Sequence, residues 1–198
     1  MRLIIITGFL GSGKTTVLLR LAGHLSRDLD PKSIVIIENE IGEANVDGLL
    51  MGQTNYEVRD LTAGCICCTL SGQLINALEE IRRDLDPRWL LVEATGIAHQ
   101  TIADVIRQSA PGLNPVSLVL VDAERWDELM ENLPMLIGAQ VENADLILIN
   151  KIESLAITEL ARIEAEVREF NDRSPCFRLP LARENCEIIG KVVDYASS

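Results

Sequence analysis

The chain lacks aromatic residues, a surplus of positive charge and any long apolar run, and each shortage removes a class of protein. Phe, Tyr and Trp make up only 4% of 198 residues, so the core has to be mostly aliphatic. Lys and Arg number 18 against 30 Asp and Glu, a net charge of -12. Nucleic-acid affinity depends on Lys and Arg neutralising phosphates, so a duplex-binding surface is excluded, although a locally basic phosphate site is not. The amino terminus offers one charge, Arg2, and then only Leu3 to Ile6 before a polar residue. That is too short for a signal-peptide core or a membrane span, and no later segment is long enough either, so a cytoplasmic protein with no membrane partner is expected. Internal repeats, low-complexity tracts and Gly/Ser linkers are also missing, which predicts one domain over residues 1–198. A single compact core of that size buries roughly 70% of the surface exposed by the unfolded chain.

Five cysteines are present, and in a cytosolic chain they favour metal binding or redox chemistry over a disulfide framework. Cys176 and Cys186 are isolated and read as small buried apolar residues. Cys65, Cys67 and Cys68 fall within four residues.

Aliphatic runs at Leu3 to Ile6, Ser33 to Ile37, Trp89 to Val92, Val116 to Val121 and Leu146 to Ile149 read as buried parallel strands. Helical spacing separates them: Leu18, Leu21, Ala22 and Leu25; Leu70, Leu74, Leu78, Ile81 and Leu85; Leu160, Ile163, Val167 and Phe170. The alternation predicts an α/β fold, a three-layer, doubly wound and mostly parallel sheet with helices on both faces. The glycine-rich stretch Glu40 to Asn55 reads as a mobile loop after a strand. Ligands of open parallel sheets bind at the carboxyl ends of the strands. Here those ends are Thr7-Gly8, Glu38-Asn39-Glu40, Glu93, Asp122-Ala123 and Asn150-Lys151.

Gly8 to Thr16 reads Gly-Phe-Leu-Gly-Ser-Gly-Lys-Thr-Thr and satisfies the P-loop pattern. Glycines let backbone N–H groups wrap phosphates, and the following helix N-terminus adds its dipole. Lys14 is placed to reach the β and γ phosphates, and Thr15 to put its hydroxyl on Mg²⁺. Glu93 ends a strand and precedes Ala-Thr-Gly96, a pattern in which the carboxylate holds Mg²⁺ and Gly96 brings an N–H to the γ-phosphate. Asn150-Lys151-Ile152-Glu153 nearly matches the Asn-Lys-x-Asp element that reads guanine. Glu keeps both acceptor oxygens, so guanine remains the expected base, with weaker discrimination against adenine.

Soft thiolates in Gly64-Cys65-Ile66-Cys67-Cys68 favour Zn²⁺, Ni²⁺ or Cu(I), and tetrahedral zinc needs a further ligand from elsewhere. Glu38, Glu40 and Glu43 are candidates for it. The two histidines are weaker candidates, because His24 falls within the first helical pattern and reads as a surface or core residue. His99 lies near the Glu93 loop.

In this order the P-loop, Glu38-Asn39-Glu40-Ile41-Gly42-Glu43, Gly-Cys-Ile-Cys-Cys, Glu93-x-x-Gly96 and Asn-Lys-x-acid closely resemble the CobW/HypB/UreG family of P-loop GTPases, the CobW branch most of all. The resemblance spans residues 1 to about 180 and implies the P-loop NTPase fold. It also implies a metal-handling GTPase that couples GTP binding and hydrolysis to delivering a transition metal or to maturing a metal-containing cofactor. The family's metal site maps onto Cys67 and Cys68, with Glu38 as oxygen ligand, Cys65 as an alternate, and Zn²⁺, Co²⁺ or Ni²⁺ as the ion. Its nucleotide site maps onto Gly11, Ser12, Gly13, Lys14, Thr15, Thr16, Asn150, Lys151 and Glu153. Two departures from the pattern are Glu at 153 and a chain that ends near residue 198, without the C-terminal domain of typical CobW proteins.

The expected chemistry is slow transfer of a phosphoryl group to water, with Lys14, Mg²⁺ and Glu93 supporting it and Asp47 positioning the water. No arginine finger stands out in the sequence, so a nucleotide-dependent homodimer partner or a client metalloprotein or cofactor-maturation enzyme is expected to complete the site. Two other functions fit the same motifs. One is an ATP- or GTP-driven activator of a corrinoid or other metalloenzyme that carries no metal itself, and the other is a nucleotide-dependent interaction module that does not hydrolyse.

Overall fold

The computed structural model describes residues 1–38, 57–60, 71–94, 102–110, 112–180 and 186–198. Within them the chain forms strands β1 (Arg2–Gly8), β2 (Ile34–Glu38), β3 (Glu57–Asp60), β4 (Trp89–Glu93), β5 (Pro115–Asp122), β6 (Leu146–Asn150) and β7 (Cys176–Leu179). The helices are α1 (Lys14–Leu25), α2 (Ser71–Asp84), α3 (Ile102–Ser109), α4 (Trp126–Asn132), α5 (Pro134–Glu142), α6 (Ile157–Phe170) and α7 (Cys186–Tyr195).

The seven strands found among the described residues form one sheet in the order β3-β2-β4-β1-β5-β6-β7. Every pairing between them is parallel. Parallel neighbours need a crossover on one face or the other, so both faces become covered and central strands read as unbroken aliphatic runs. β4 and β6 are buried at all five positions, as that rule requires. The chain winds outward from β1 to β3, returns across β2 to β4, and then crosses β1 to build β5 to β7 on the other side.

Successive strand residues point to opposite faces and meet different helices. Ile4, Ile6, Ile36, Leu91, Leu120 and Leu148 pack with Val17, Leu18 and Leu21 of α1 and Ile189 and Val192 of α7. On the other face Ile5, Val35 and Leu90 meet Leu78 and Ile81 of α2 and Ile106 of α3. Beside them, Val119, Ile147 and Ile149 meet α4, α5 and α6 through Trp126, Ile137, Val141, Ile163 and Val167. Burying one Ile or Leu contributes about 1.5–3 kcal/mol, so three such clusters hold a domain with few aromatics. Trp89 and Trp126 are the large exceptions, and Trp126 is the more deeply buried. It is fully buried, and its indole N–H donates to Glu166 at 2.6 Å.

A buried polar hub secures the last part of the sheet. Asn171 follows α6 and donates from Nδ2 to the carbonyls of Val141 at 2.9 Å and Ala144 at 3.0 Å. Its Oδ1 accepts the N–H groups of Arg173 at 3.2 Å and Ser174 at 3.0 Å. One side chain thus satisfies the end of α5 and the turn into β7. Cys176, the first residue of β7, is half-buried, and desolvation pushes its thiol up to about 11, which fits a packing role. No helix among the described residues is long and apolar enough to cross a membrane.

Replacing Asn171 by Ala leaves two turn amides without their partner, while the Val141 and Ala144 carbonyls each lose one donor and keep another, the Ala144 N–H and the Ser174 hydroxyl. Each orphaned group costs about 1–3 kcal/mol. Asn171→Ala is therefore expected to lower unfolding free energy by about 2–4 kcal/mol in a denaturant titration. A loss below about 0.5 kcal/mol would refute the hub.

Candidate nucleotide site

The carboxyl ends of β1, β4, β5 and β6 bring the site together, because parallel strands deliver all their C-terminal residues to one edge. Between β1 and α1 the backbone turns through Gly8, with φ +144°, and Gly13, with φ +97°. A Cβ on Gly8 would lie 2.6 Å from the Leu120 carbonyl oxygen, so the loop can pass β5 only with glycine there. Gly13 caps α1 in the left-handed conformation and supplies no side chain. The Val17 N–H donates to the Gly13 carbonyl at 3.0 Å and closes the first turn of α1. The amides at the head of α1 therefore point into the loop, with the positive end of the helix dipole behind them.

Lys14 opens α1, and its side chain is only 5% exposed. The ammonium lies 3.8 Å from Glu93 Oε1 and 3.5 Å from the Phe9 carbonyl oxygen. Thr15 Oγ1 donates to Glu93 Oε2 at 2.9 Å, so the one carboxylate engages both P-loop side chains. Glu93 is itself 3% exposed. An ammonium, a hydroxyl and a carboxylate beside helix amides form the donor set that a Mg²⁺–polyphosphate needs. Thr15 and Glu93 are the residues suited to the ion.

The other half of the edge is tied to this loop. Asn150, fully buried, donates from Nδ2 to the Ser12 carbonyl at 2.7 Å, which anchors the P-loop on the end of β6. Its backbone carbonyl accepts the Ala123 N–H at 3.0 Å. Lys151 follows with φ +57°, in the left-handed region that a non-glycine residue rarely adopts. Its Nζ donates to Asp122 Oδ2 at 2.7 Å. Glu153 is exposed on the same loop, and the next residue, Ser154, donates to Glu124 at 2.6 Å across the two loops.

Lys14, Thr15, Glu93, Ser12, Gly13, Asn150 and Lys151 are thus brought to one edge, with Gly11 and Thr16 in the same turn. Asp47, Gly96, Cys65, Cys67 and Cys68 lie outside the described residues, as do Asn39, Glu40, Glu43 and His99. Glu38 is located only by its backbone, as the last residue of β2. His24 sits in α1 against Gly190 of α7, away from the P-loop. Asp122 and Arg125 carry contacts to which the motifs assigned no role. A signal existed for Asp122, an acid closing an aliphatic strand, but nothing local marked Arg125.

A doubly wound parallel sheet with this loop between β1 and α1 defines a P-loop NTPase. Residues 2–178 match the family model described as CobW/HypB/UreG, nucleotide-binding domain, and the chain belongs to that family. It is 32% identical over 189 residues to the zinc chaperone YjiA of Escherichia coli, covering 87% of this chain and 55% of that protein. Against the zinc chaperone CobW of Pseudomonas aeruginosa it is 30% identical over 200 residues, covering 82% and 52%. It spans about half the length of these relatives. The hydrogenase maturation factor HypB from Archaeoglobus fulgidus has the same fold, with a TM-score of 0.73 at 20% identity over 99% of this chain and 90% of that one.

The Asn150 to Ser12 contact is made between two groups of the chain itself, so its loss should show in the stability of the protein. Asn150→Ala orphans a backbone carbonyl beside the loop and is expected to cost about 1–3 kcal/mol in unfolding free energy. A denaturant titration without nucleotide checks this. An unchanged midpoint would mean the P-loop holds its shape independently of β6.

Proposed function

We propose that this chain binds Mg²⁺–GTP at the Lys14 edge, hydrolyses it slowly, and couples that cycle to handing a transition metal to a client metalloprotein or cofactor-maturation enzyme. The observation that carries the reading is a buried ammonium at a helix N-terminus, with Thr15 and Glu93 hydrogen-bonded beside it. A polyphosphate neutralises the ammonium and the helix end together. Thr15 and Glu93 hold Mg²⁺, and Gly96 and Asp47 serve the γ-phosphate and the attacking water.

Asn150, Lys151 and Glu153 read the base. Lys151 presents its aliphatic stem as a flat apolar flank while its charged end is held elsewhere, and Glu153 accepts from guanine. Cys67 and Cys68, with Glu38 and with Cys65 as alternate, hold the transferred ion. Zinc is the first metal to try, since both chaperone relatives are named for it, and Co²⁺ and Ni²⁺ suit the same donors. The completed hydrolytic site includes a second protein surface, a client or another copy of the chain.

Two measurements test this. Lys14→Ala is expected to reduce GTP turnover about a hundredfold, the size typical of losing one preorganised charge at a phosphoryl site. Zinc titrated into the protein with GTP, with ATP or with neither should bind at least about tenfold differently between the GTP and nucleotide-free states, a coupling of about 1.4 kcal/mol. Cys67→Ser with Cys68→Ser should abolish tight zinc binding. Metal affinity indifferent to both nucleotides would rule out the coupled cycle and favour an activator that carries no metal.

A further inference from the structure

Asp122 closes β5 with its side chain 1% exposed, and both carboxylate oxygens are engaged. Oδ2 accepts from Lys151 Nζ at 2.7 Å, and Oδ1 accepts the backbone N–H of Arg125 at 3.3 Å. Arg125 in turn reaches the leading arm of the P-loop. Its guanidinium carbon lies 5.2 Å from the centre of the Phe9 ring, and Nη1 donates to the Leu10 carbonyl at 3.4 Å. Glu128 braces it through Nε at 3.0 Å and Nη2 at 3.2 Å.

Burying a carboxylate this deeply costs several kcal/mol in lost hydration unless it is paired. Lys151 is the partner, yet it pays twice, holding a left-handed backbone and losing the freedom of a long side chain. Ordinary stability does not call for such an arrangement. What it achieves is a lysine stem with a fixed position relative to the phosphate loop, since the turn that holds Asp122 is clamped to Phe9 and Leu10 by Arg125.

We propose that Asp122 is a positioning residue for base recognition: it anchors the ammonium of Lys151 so that the stem is registered against the phosphate loop before nucleotide arrives. The inference rests on the reading that Lys151 flanks the base. A neutral amide at 122 offers one acceptor oxygen in place of two and no charge, so it cannot hold both Lys151 and the Arg125 turn.

The test compares the affinity of the full chain for GTP with that for tripolyphosphate, which has no base, by calorimetry in Mg²⁺. Asp122→Asn should lower GTP affinity about tenfold and tripolyphosphate affinity less than about threefold. Lys151→Met keeps an apolar stem but removes the anchored ammonium, and it should reproduce that loss without depending on how well an Asp122 variant folds. Combining the two should add no further loss, because both act on one contact. Equal losses for GTP and tripolyphosphate would assign Asp122 a structural role only, and multiplied losses in the double variant would show that it does not act through Lys151. Full GTP affinity in Lys151→Met would mean the anchor is dispensable. Each of these three results overturns the proposal. Lys151→Ala with unchanged GTP affinity would instead remove Lys151 from base recognition, and the proposal would fall with that reading.

Discussion

A buried cation at the positive end of a helix is the constraint around which this fold is arranged. Lys14 is the first residue of α1, where the helix dipole repels it, and it is almost wholly removed from water. Glu93 at 3.8 Å repays part of the cost. Two unit charges at that separation attract by roughly 4 kcal/mol at an effective dielectric constant near 20, while dehydration costs several kcal/mol for each ion. The pair therefore contributes little to the stability of the protein alone. It makes sense as a site completed by several negative charges, and a polyphosphate supplies them along the axis on which the helix dipole also acts.

Holding a cation there needs a rigid frame, and the parallel sheet provides it. Central strands buried on both faces cannot shift without exposing aliphatic surface, so their carboxyl ends are fixed points. β1 and β4 are neighbours in the register Ile6 to Glu93, which sets Glu93 beside the turn into the P-loop. β5 and β6 pair Asp122 with Asn150, which sets the start of the Asn150 to Glu153 loop beside the residue that binds the Lys151 ammonium. The P-loop is held from both directions, by Glu93 through Thr15 and by Asn150 through the Ser12 carbonyl.

The parts legible in sequence are those whose physics is local. Five aliphatic runs became β1, β2, β4, β5 and β6 with boundaries displaced by a residue or two, mostly because strands extend into their terminal polar residues. β3 and β7 escaped detection because they are the outermost strands of the described sheet. Glu57-Val-Arg-Asp60 and Cys176-Phe-Arg-Leu179 each carry charge and lack the continuous apolar run of a strand packed between neighbours. Glycine spacing revealed the P-loop, since the turn and the close approach to β5 demand glycine. Asn150 was legible as part of a motif, but its bond to Ser12, 138 residues away, was not. Arg125 and Asn171 were invisible for the same reason, each acting on carbonyls that sequence distance hides.

Chain order also bears on how a metal and a nucleotide come to be coupled in the proposed cycle. Glu38 and Asp60 are register partners at the ends of β2 and β3, while Ile37 pairs with Val92, the residue before Glu93. Asp60, Glu38 and Glu93 therefore end their strands at the same sheet edge. Glu38 lies one strand from the residue bonded to Thr15, and Asp60 one strand further. In that proposal Glu93 would meet the Mg²⁺, and the end of β4 that carries it lies directly between β2 and β1. Glu38, if it holds the metal as proposed, would need no long relay to Glu93, because β2 and β4 are adjacent strands.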